Sequence, residues 1–330
     1  MDDDYAWSPG PRLWDRLRGK APDERIPPDP VNRFCDGGVH QLFGYLDGKR
    51  DAKLFYWLFE SRTNPTTSPT LIYFQGGPGA SSMLSAVSGN GGPCILNEDG
   101  TSPSVNEYSW NTFANVMYID QPASVGFSKG TPPNNSIEAA KSTVQALEIF
   151  FRAHPEYNTE VFLTGQSYAE WTALRPKVSC NFQLGSSLLL CGLLKGLASR
   201  VEEKGHDPVR ARFNNDIAKR YDTLLIPALN TGKRVLVFAG DQDYSCNWIG
   251  NRAWTDSLEW DGFNGCKMAK DTLFELPDGT IVGKLKTFTL PSPGGQLSFL
   301  QVFKAGHNAA RDSPAAVHKA MANFVTNQLR

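Results

Sequence analysis

The sequence contains no apolar run long enough to cross a bilayer. Its most apolar stretch, LGSSLLLCGLLKGL at 184–197, is interrupted by Gly and Lys and is shorter than the roughly 20 residues a membrane helix needs. It reads as a core segment, and no membrane partner is expected. Charge of one sign is also lacking: 33 Lys and Arg stand against 34 Asp and Glu, for a formal net charge of −1. With no local basic run either, a nucleic-acid partner is not expected. Nucleotide-binding loops are missing, since neither G-K-[ST] nor G-x-G-x-x-G occurs. The six cysteines (Cys35, Cys94, Cys180, Cys191, Cys246 and Cys266) have no C-x-x-C spacing, which excludes zinc ribbons and thioredoxin-type chemistry. Their number does not choose between disulfides and free thiols. The N-terminal stretch MDDDYAWSPGPRLWDRLRGK has no apolar h-region, so no secretory leader is expected there and the compartment is left open.

Regular alternation of strand and helix signals is what the chain does have. Residues 1–34 are rich in Pro, Asp and Arg without an apolar period and read as an irregular lead-in. Beyond it, KLFYWLFES (53–61), TLIYFQ (70–75), NVMYID (115–120), EVFLT (160–164), RVLVFAG (234–240) and SFLQVFKAG (298–306) read as strands. SIEAAKSTVQALEIFFRAHPEY has helical apolar spacing with Ser136 as the expected N-cap, and a C-terminal helix opens at Ser313-Pro314. Near-continuous apolar strands alternating with amphipathic helices imply an α/β fold with a mostly parallel sheet, flanked by helices on both faces.

Functional residues of such a sheet lie past the C-terminal ends of its strands. Four candidates fall there: the glycine loop FQGGPGASS (74–82), Ser167 in LTGQSYA, the Asp241/Asp243 pair in FAGDQDYSCNW, and His307 in FKAGHNAARDSP. A serine hydroxyl needs an adjacent base, normally an imidazole oriented by a carboxylate, and donors for the oxyanion that forms on attack. G-Q-S-Y-A keeps small residues on both sides of Ser167, as a sharp strand-to-helix turn requires. The order Ser, Asp, His along the chain is that of the α/β-hydrolases. His40, His154, His206 and His318 are expected to be solvated.

In GYLDGKRDAKLFYWLFESR, QGGPGASSM, NGGPCILNEDG, YSWNTFANVMYIDQPASVGFS, FLTGQSYA, FAGDQDYSCNWIGNRAWTDSLEW and FLQVFKAGHNAARDSP the chain resembles the serine carboxypeptidases, particularly fungal secreted ones. The resemblance implies an α/β-hydrolase fold and release of C-terminal residues from peptides through an acyl-enzyme, with no cofactor and no metal. It implies Ser167 as nucleophile, His307 as base, Asp243 rather than Asp241 as the orienting acid, and the N–H groups of Gly77 and Tyr168 as oxyanion donors. Gln75, Gly76, Asn90 and Gln166 fall where the family binds the substrate carboxylate. Cys246 and Asn308 fall in the leaving-residue pocket, Asn308 in place of the usual Met.

The chain also departs from the family. Two carboxylate-binding Glu are amides here (Asn90, Gln166) and the family's Asn is Gln75. Ala80 replaces a disulfide cysteine, and Glu170 replaces a Gly after the nucleophile turn. The interval from Ser167 to Asp243 is short, so residues 35–330 are read as a single α/β-hydrolase domain with an atypical segment at 171–221. That domain lacks most of the cap insertion and, if 184–197 is helical, one core strand. Besides a peptide-cleaving hydrolase, an esterase or acyltransferase and a catalytically silent relative are compatible with these departures. The oligomeric state is left open. Asn134-Asn135-Ser136 is a glycosylation sequon, meaningful in a secreted protein.

Overall fold

The computed structural model describes residues 23–26, 35–169, 184–191, 208–216, 219–291 and 294–330. Its strands are β1 (Asp23–Ile26), β2 (Gln41–Asp47), β3 (Lys53–Phe59), β4 (Thr70–Phe74), β5 (Cys94–Leu96), β6 (Pro103–Val105) and β7 (Asn115–Ile119). They continue with β8 (Val161–Gln166), β9 (Leu184–Cys191), β10 (Arg234–Gly240), β11 (Thr272–Glu275), β12 (Ile281–Thr289) and β13 (Gln296–Val302). The α-helices are α1 (Ser82–Val87), α2 (Ser136–Ala153), α3 (Pro208–Phe213), α4 (Leu225–Asn230), α5 (Trp248–Asp256), α6 (Phe263–Met268), α7 (Ala309–Asp312) and α8 (Pro314–Val325).

Among the described residues eleven strands form one sheet, in the order β1-β2-β3-β7-β4-β8-β9-β10-β13-β12-β11, and β5 and β6 form a separate pair. The centre, β7-β4-β8-β9-β10-β13, is parallel. Both margins are antiparallel, so the sheet is mixed rather than mostly parallel. Within the margins, short turns at 48–52 and 276–280 reverse the chain between β2 and β3 and between β11 and β12, leaving no room for a crossover helix.

Strand β9 answers the question left by the apolar run. Leu184–Cys191 is extended and pairs in parallel with β8 on one side and β10 on the other, so the core strand is present. An apolar run has no period to separate strand from helix; the slot between two strands with unpaired edges decides it. The lead-in is not wholly irregular either, because Asp23–Ile26 adds an edge strand to β2. Expectations for the cap region at 171–183 and 192–207, and for Glu170, lie outside the described residues.

Strand alternation builds two apolar layers. Leu54, Tyr56 and Leu58 of β3 face one layer with Leu147 and Phe150 of α2. Phe55, Trp57 and Phe59 face the other, with Ala320 and Phe324 of α8. Ser313 occupies the N-cap position of α8 with Pro314 in its first turn, but its side chain makes no capping hydrogen bond. The cap of α2 is Asn135, whose side chain accepts from the Glu138 N–H at 3.0 Å, not Ser136. His40, His154 and His318 are half-buried rather than solvated, His318 sharing a hydrogen bond with Thr112 at 2.7 Å; His206 lies outside the described residues. Cys35 and Cys94 are disulfide-bonded, and Cys246 and Cys266 are buried. Among the described residues no helix is long and apolar enough to cross a membrane.

Candidate active site

Four parallel strands deliver their C-terminal ends to one place: β4 leads to the glycine loop, β8 to Ser167, β10 to Asp243 and β13 to His307. Ser167 sits on a sharp turn with φ +58°. A non-glycine residue takes that conformation rarely, and it persists only where surroundings over-determine it.

His307 and Asp243 are joined, Nδ1 to Oδ2, at 2.9 Å. The Asp243 side chain is 4% exposed and that of His307 37%. The other Asp243 oxygen accepts the N–H groups of Ser245 and Cys246 at 2.8 and 2.9 Å. Burial alone would raise the Asp243 pKa, but the hydrogen bonds from His307, Cys246 and Ser245 outweigh it and hold the carboxyl below its ordinary value. Asp241 is directed elsewhere, its Oδ1 accepting the Ala305 N–H at 3.4 Å. The hydrogen-bond partner of Ser167 Oγ among the described residues is Cys246 Sγ, at 3.9 Å; the Ser167–His307 hydrogen bond is not formed in this conformation, a common looseness in free hydrolase sites.

Glycine is required at the loop beside Ser167. A Cβ on Gly76 would stand 2.6 Å from Gln166 O, 2.6 Å from Tyr168 N and 2.9 Å from Ser167 Cβ. Gly77 has φ +116°. The loop is pinned from below: Ser82 Oγ donates to Ile119 O at 2.6 Å and accepts from Gln75 N at 3.0 Å. Asp120 accepts Ser81 Oγ, Ser82 N and Phe127 N at 2.7, 2.8 and 2.9 Å. Burial nonetheless pushes the Asp120 carboxyl up.

The four residues expected at a carboxylate site converge, with the amide hydrogens of Gln166 engaged inside the protein. Gln166 Nε2 donates to His307 O at 2.8 Å and to Asn308 Oδ1 at 2.9 Å. Its Oε1 accepts from Tyr73 Oη at 2.5 Å and Asn90 Nδ2 at 2.6 Å. Gln75 Oε1 lies 2.6 Å from Tyr73 Oη and accepts from Ser85 Oγ at 2.8 Å. Tyr73 and Ser85 were not singled out from the sequence; the available signal was a tyrosine inside a buried strand, whose hydroxyl needs a partner. Asp120 and Asp216 were missed too, both being buried carboxylates with distant partners. The group of metal-ligating side chains found among the described residues is Asp243, Cys246 and His307, within 4.8 Å of one another. Two of those three are already bonded to each other.

A mixed sheet with a serine turn, an Asp–His pair and a glycine loop at the strand ends defines the α/β-hydrolase class. Within it, the chain belongs to the serine carboxypeptidase family, whose profile matches residues 34–170 and 203–327, and it is a carboxypeptidase-like hydrolase. It is 27% identical to a carboxypeptidase Y homolog A of Talaromyces marneffei, over 87% of this chain and 72% of that one. A carboxypeptidase Y homolog A of Trichophyton equinum is 26% identical over 87% and 74%. The first alignment runs to 412 positions, more than the 330 residues of this chain, so the relative carries segments this chain lacks. In structure the chain is similar to Kex1Δp, a prohormone-processing carboxypeptidase from Saccharomyces cerevisiae, at 18% identity and TM-score 0.71, covering 91% of this chain and 92% of that. The Pyrococcus furiosus esterase Pf2001 shares the fold at 12% identity and TM-score 0.54, covering 88% and 92%.

Proposed function

We propose that this chain is a serine-type carboxypeptidase that removes C-terminal residues from peptides through an acyl-enzyme on Ser167. The observation that carries this reading is the 2.9 Å Asp243–His307 pair set beside a serine in a strained, positive-φ turn. Asp243 holds the imidazole so that Nε2 presents its lone pair, and Nε2 takes the Ser167 proton as Oγ attacks the scissile carbonyl. The carbonyl oxygen becomes an oxyanion facing the N–H groups of Gly77 and Tyr168. The C–N bond then breaks, His307 returns the proton to the departing amine, and a water repeats the sequence on the acyl-enzyme. Gln75, Gly76, Asn90 and Gln166 make up the proposed carboxylate site, with Gln166 acting mainly as a brace because its amide hydrogens already serve the His307 loop. Cys246 and Asn308 border the leaving residue.

One observation favours a second reading. A site whose Gln166 donors are committed internally grips a free carboxylate less firmly than open donors would, which favours ester or amide substrates without one.

Treating the purified protein with a fluorophosphonate and mapping the adduct by mass spectrometry tests the chemistry. Stoichiometric labelling of Ser167 that His307→Ala abolishes is the expected result. A cooperatively melting protein that stays unlabelled would identify a silent relative. Comparing a peptide with its C-terminal amide, and with an ester, separates the two substrate readings.

A further inference from the structure

We propose that Asp216 is a positioning residue for the oxyanion hole: its buried carboxylate ties Tyr168, and so the backbone N–H beside Ser167, to the start of helix α2. The inference rests on the reading of Ser167 and Tyr168 given above. Asp216 follows α3 and is 1% exposed. Its Oδ2 accepts the Ser136 N–H at 2.7 Å and the Tyr168 hydroxyl at 3.0 Å. Its Oδ1 accepts the Tyr221 hydroxyl at 2.6 Å and pairs with Lys219 Nζ at 3.0 Å. A fifth bond, Ser136 Oγ to Tyr168 Oη at 2.9 Å, closes the ring of contacts.

An ionised carboxyl accepts at about four lone-pair positions, and all are engaged here. Burial would push the Asp216 pKa up, yet the hydrogen bonds from Ser136, Tyr221 and Lys219 outweigh it and hold the carboxyl well below its ordinary range. The group is therefore ionised at working pH, at the positive end of an 18-residue helix. Packing alone does not call for this arrangement. The Tyr168 ring meets Phe213 edge-on at 6.0 Å between centroids, a contact that phenylalanine would make equally well. What the hydroxyl adds is a fixed anchor one residue past a strained serine.

The anchor matters because the donor it carries has little slack. The Tyr168 nitrogen abuts Gly76 so closely that no Cβ fits between them. Before Ser167 the chain is held by the β8 ladder. After Ser167 the hydroxyl of Tyr168 supplies the corresponding hold, on a residue 48 positions further along. Small misplacements at a reacting centre can cost about 100-fold in rate.

The test is the rate of Ser167 phosphonylation by a fluorophosphonate, resolved into a binding constant and a bond-forming rate constant, for wild type, Asp216→Asn, Tyr168→Phe and the double variant. Each single change should lower the bond-forming constant about tenfold or more, by losing part of what an oxyanion donor contributes, and leave binding within about twofold. The double variant should react no more slowly than the slower single one, because the two residues act as a unit. A bond-forming constant equal to wild type well below the melting temperature, or effects that multiply in the double variant, would overturn the proposal. Should Asp216→Asn not fold, Tyr168→Phe carries the same comparison. Should wild type itself not react, the enzymatic reading fails separately. The anchor is then read by hydrogen–deuterium exchange over residues 161–169: faster exchange in the variants supports it, and unchanged protection overturns it.

Discussion

Gln166 gives its amide hydrogens to the loop that carries His307, donating to the His307 carbonyl at 2.8 Å and to the neighbouring Asn308 side chain at 2.9 Å. The residue before the serine thus braces the imidazole from across the sheet, in a position where the family resemblance implies contact with substrate.

Replacing that amide by an acid makes the brace depend on pH. In Gln166→Glu only a protonated carboxyl can donate, and an ionised one faces two oxygens, the His307 carbonyl and Asn308 Oδ1. Activity of the variant is expected to be closest to wild type in acid and to fall as pH rises through the glutamate pKa, by about tenfold or more if the imidazole shifts. Parallel pH–rate profiles for variant and wild type would refute this.

Amides at Asn90 and Gln166 carry a consequence for wild type as well. An amide neither gains nor loses a proton between about pH 5 and 7, so its donors persist across that range. KM for a peptide with a free C-terminal carboxylate should stay flat there. A KM that rises steeply over the same interval would point to a titrating acid in the site and sink the idea.

Gly76→Ala is expected to abolish phosphonate labelling while leaving most of the fold intact. The new Cβ would lie 2.6 Å from both Gln166 O and Tyr168 N, so backbone at the reacting centre must move. A loss of at least about 100-fold in labelling rate is expected, measured beside the melting temperature. Near-normal labelling would mean that the loop can yield without cost to the chemistry.

Asp216 also predicts an acid-stability signature. Its folded pKa is held below the ordinary value of 3.8, so its stabilising contribution is complete above that value. As pH falls below about 4 the unfolded chain takes up a proton that the native carboxyl resists, and stability is lost through the window down to the folded pKa. Asp216→Asn should therefore melt lower than wild type near neutrality, and the two melting curves should converge in acid. Curves that stay parallel from about pH 6 to 2 would contradict the sign of the shift. Asp243, held low by His307, adds an effect in the same direction to both proteins.

Legibility followed the range of the interactions. Strands β3, β4, β7, β8, β10 and β13 announced themselves through short apolar runs, and the four candidate loops followed from where those runs end. The cap of α2 was displaced by one residue because Ser136 is drawn into bonds with Asp216 and Tyr168, leaving Asn135 to cap. The antiparallel strands β11 and β12 carry alternating polar residues and long side chains, a pattern too weak to read alone.

By itself the sequence determined the alternation of apolar strands and amphipathic helices, the order of serine, aspartate and histidine, and the small residues around Ser167. These are local or ordinal properties, carried by steric preference and hydrophobic period. Only the tertiary structure decided that Leu184–Cys191 is a strand, that Gln166 turns inward, and that Asp216 holds Tyr168. Each of those outcomes depends on a partner brought close by the sheet, such as the Ser136 amide 80 positions from Asp216, and no spacing along the chain encodes which distant group a buried polar atom will find.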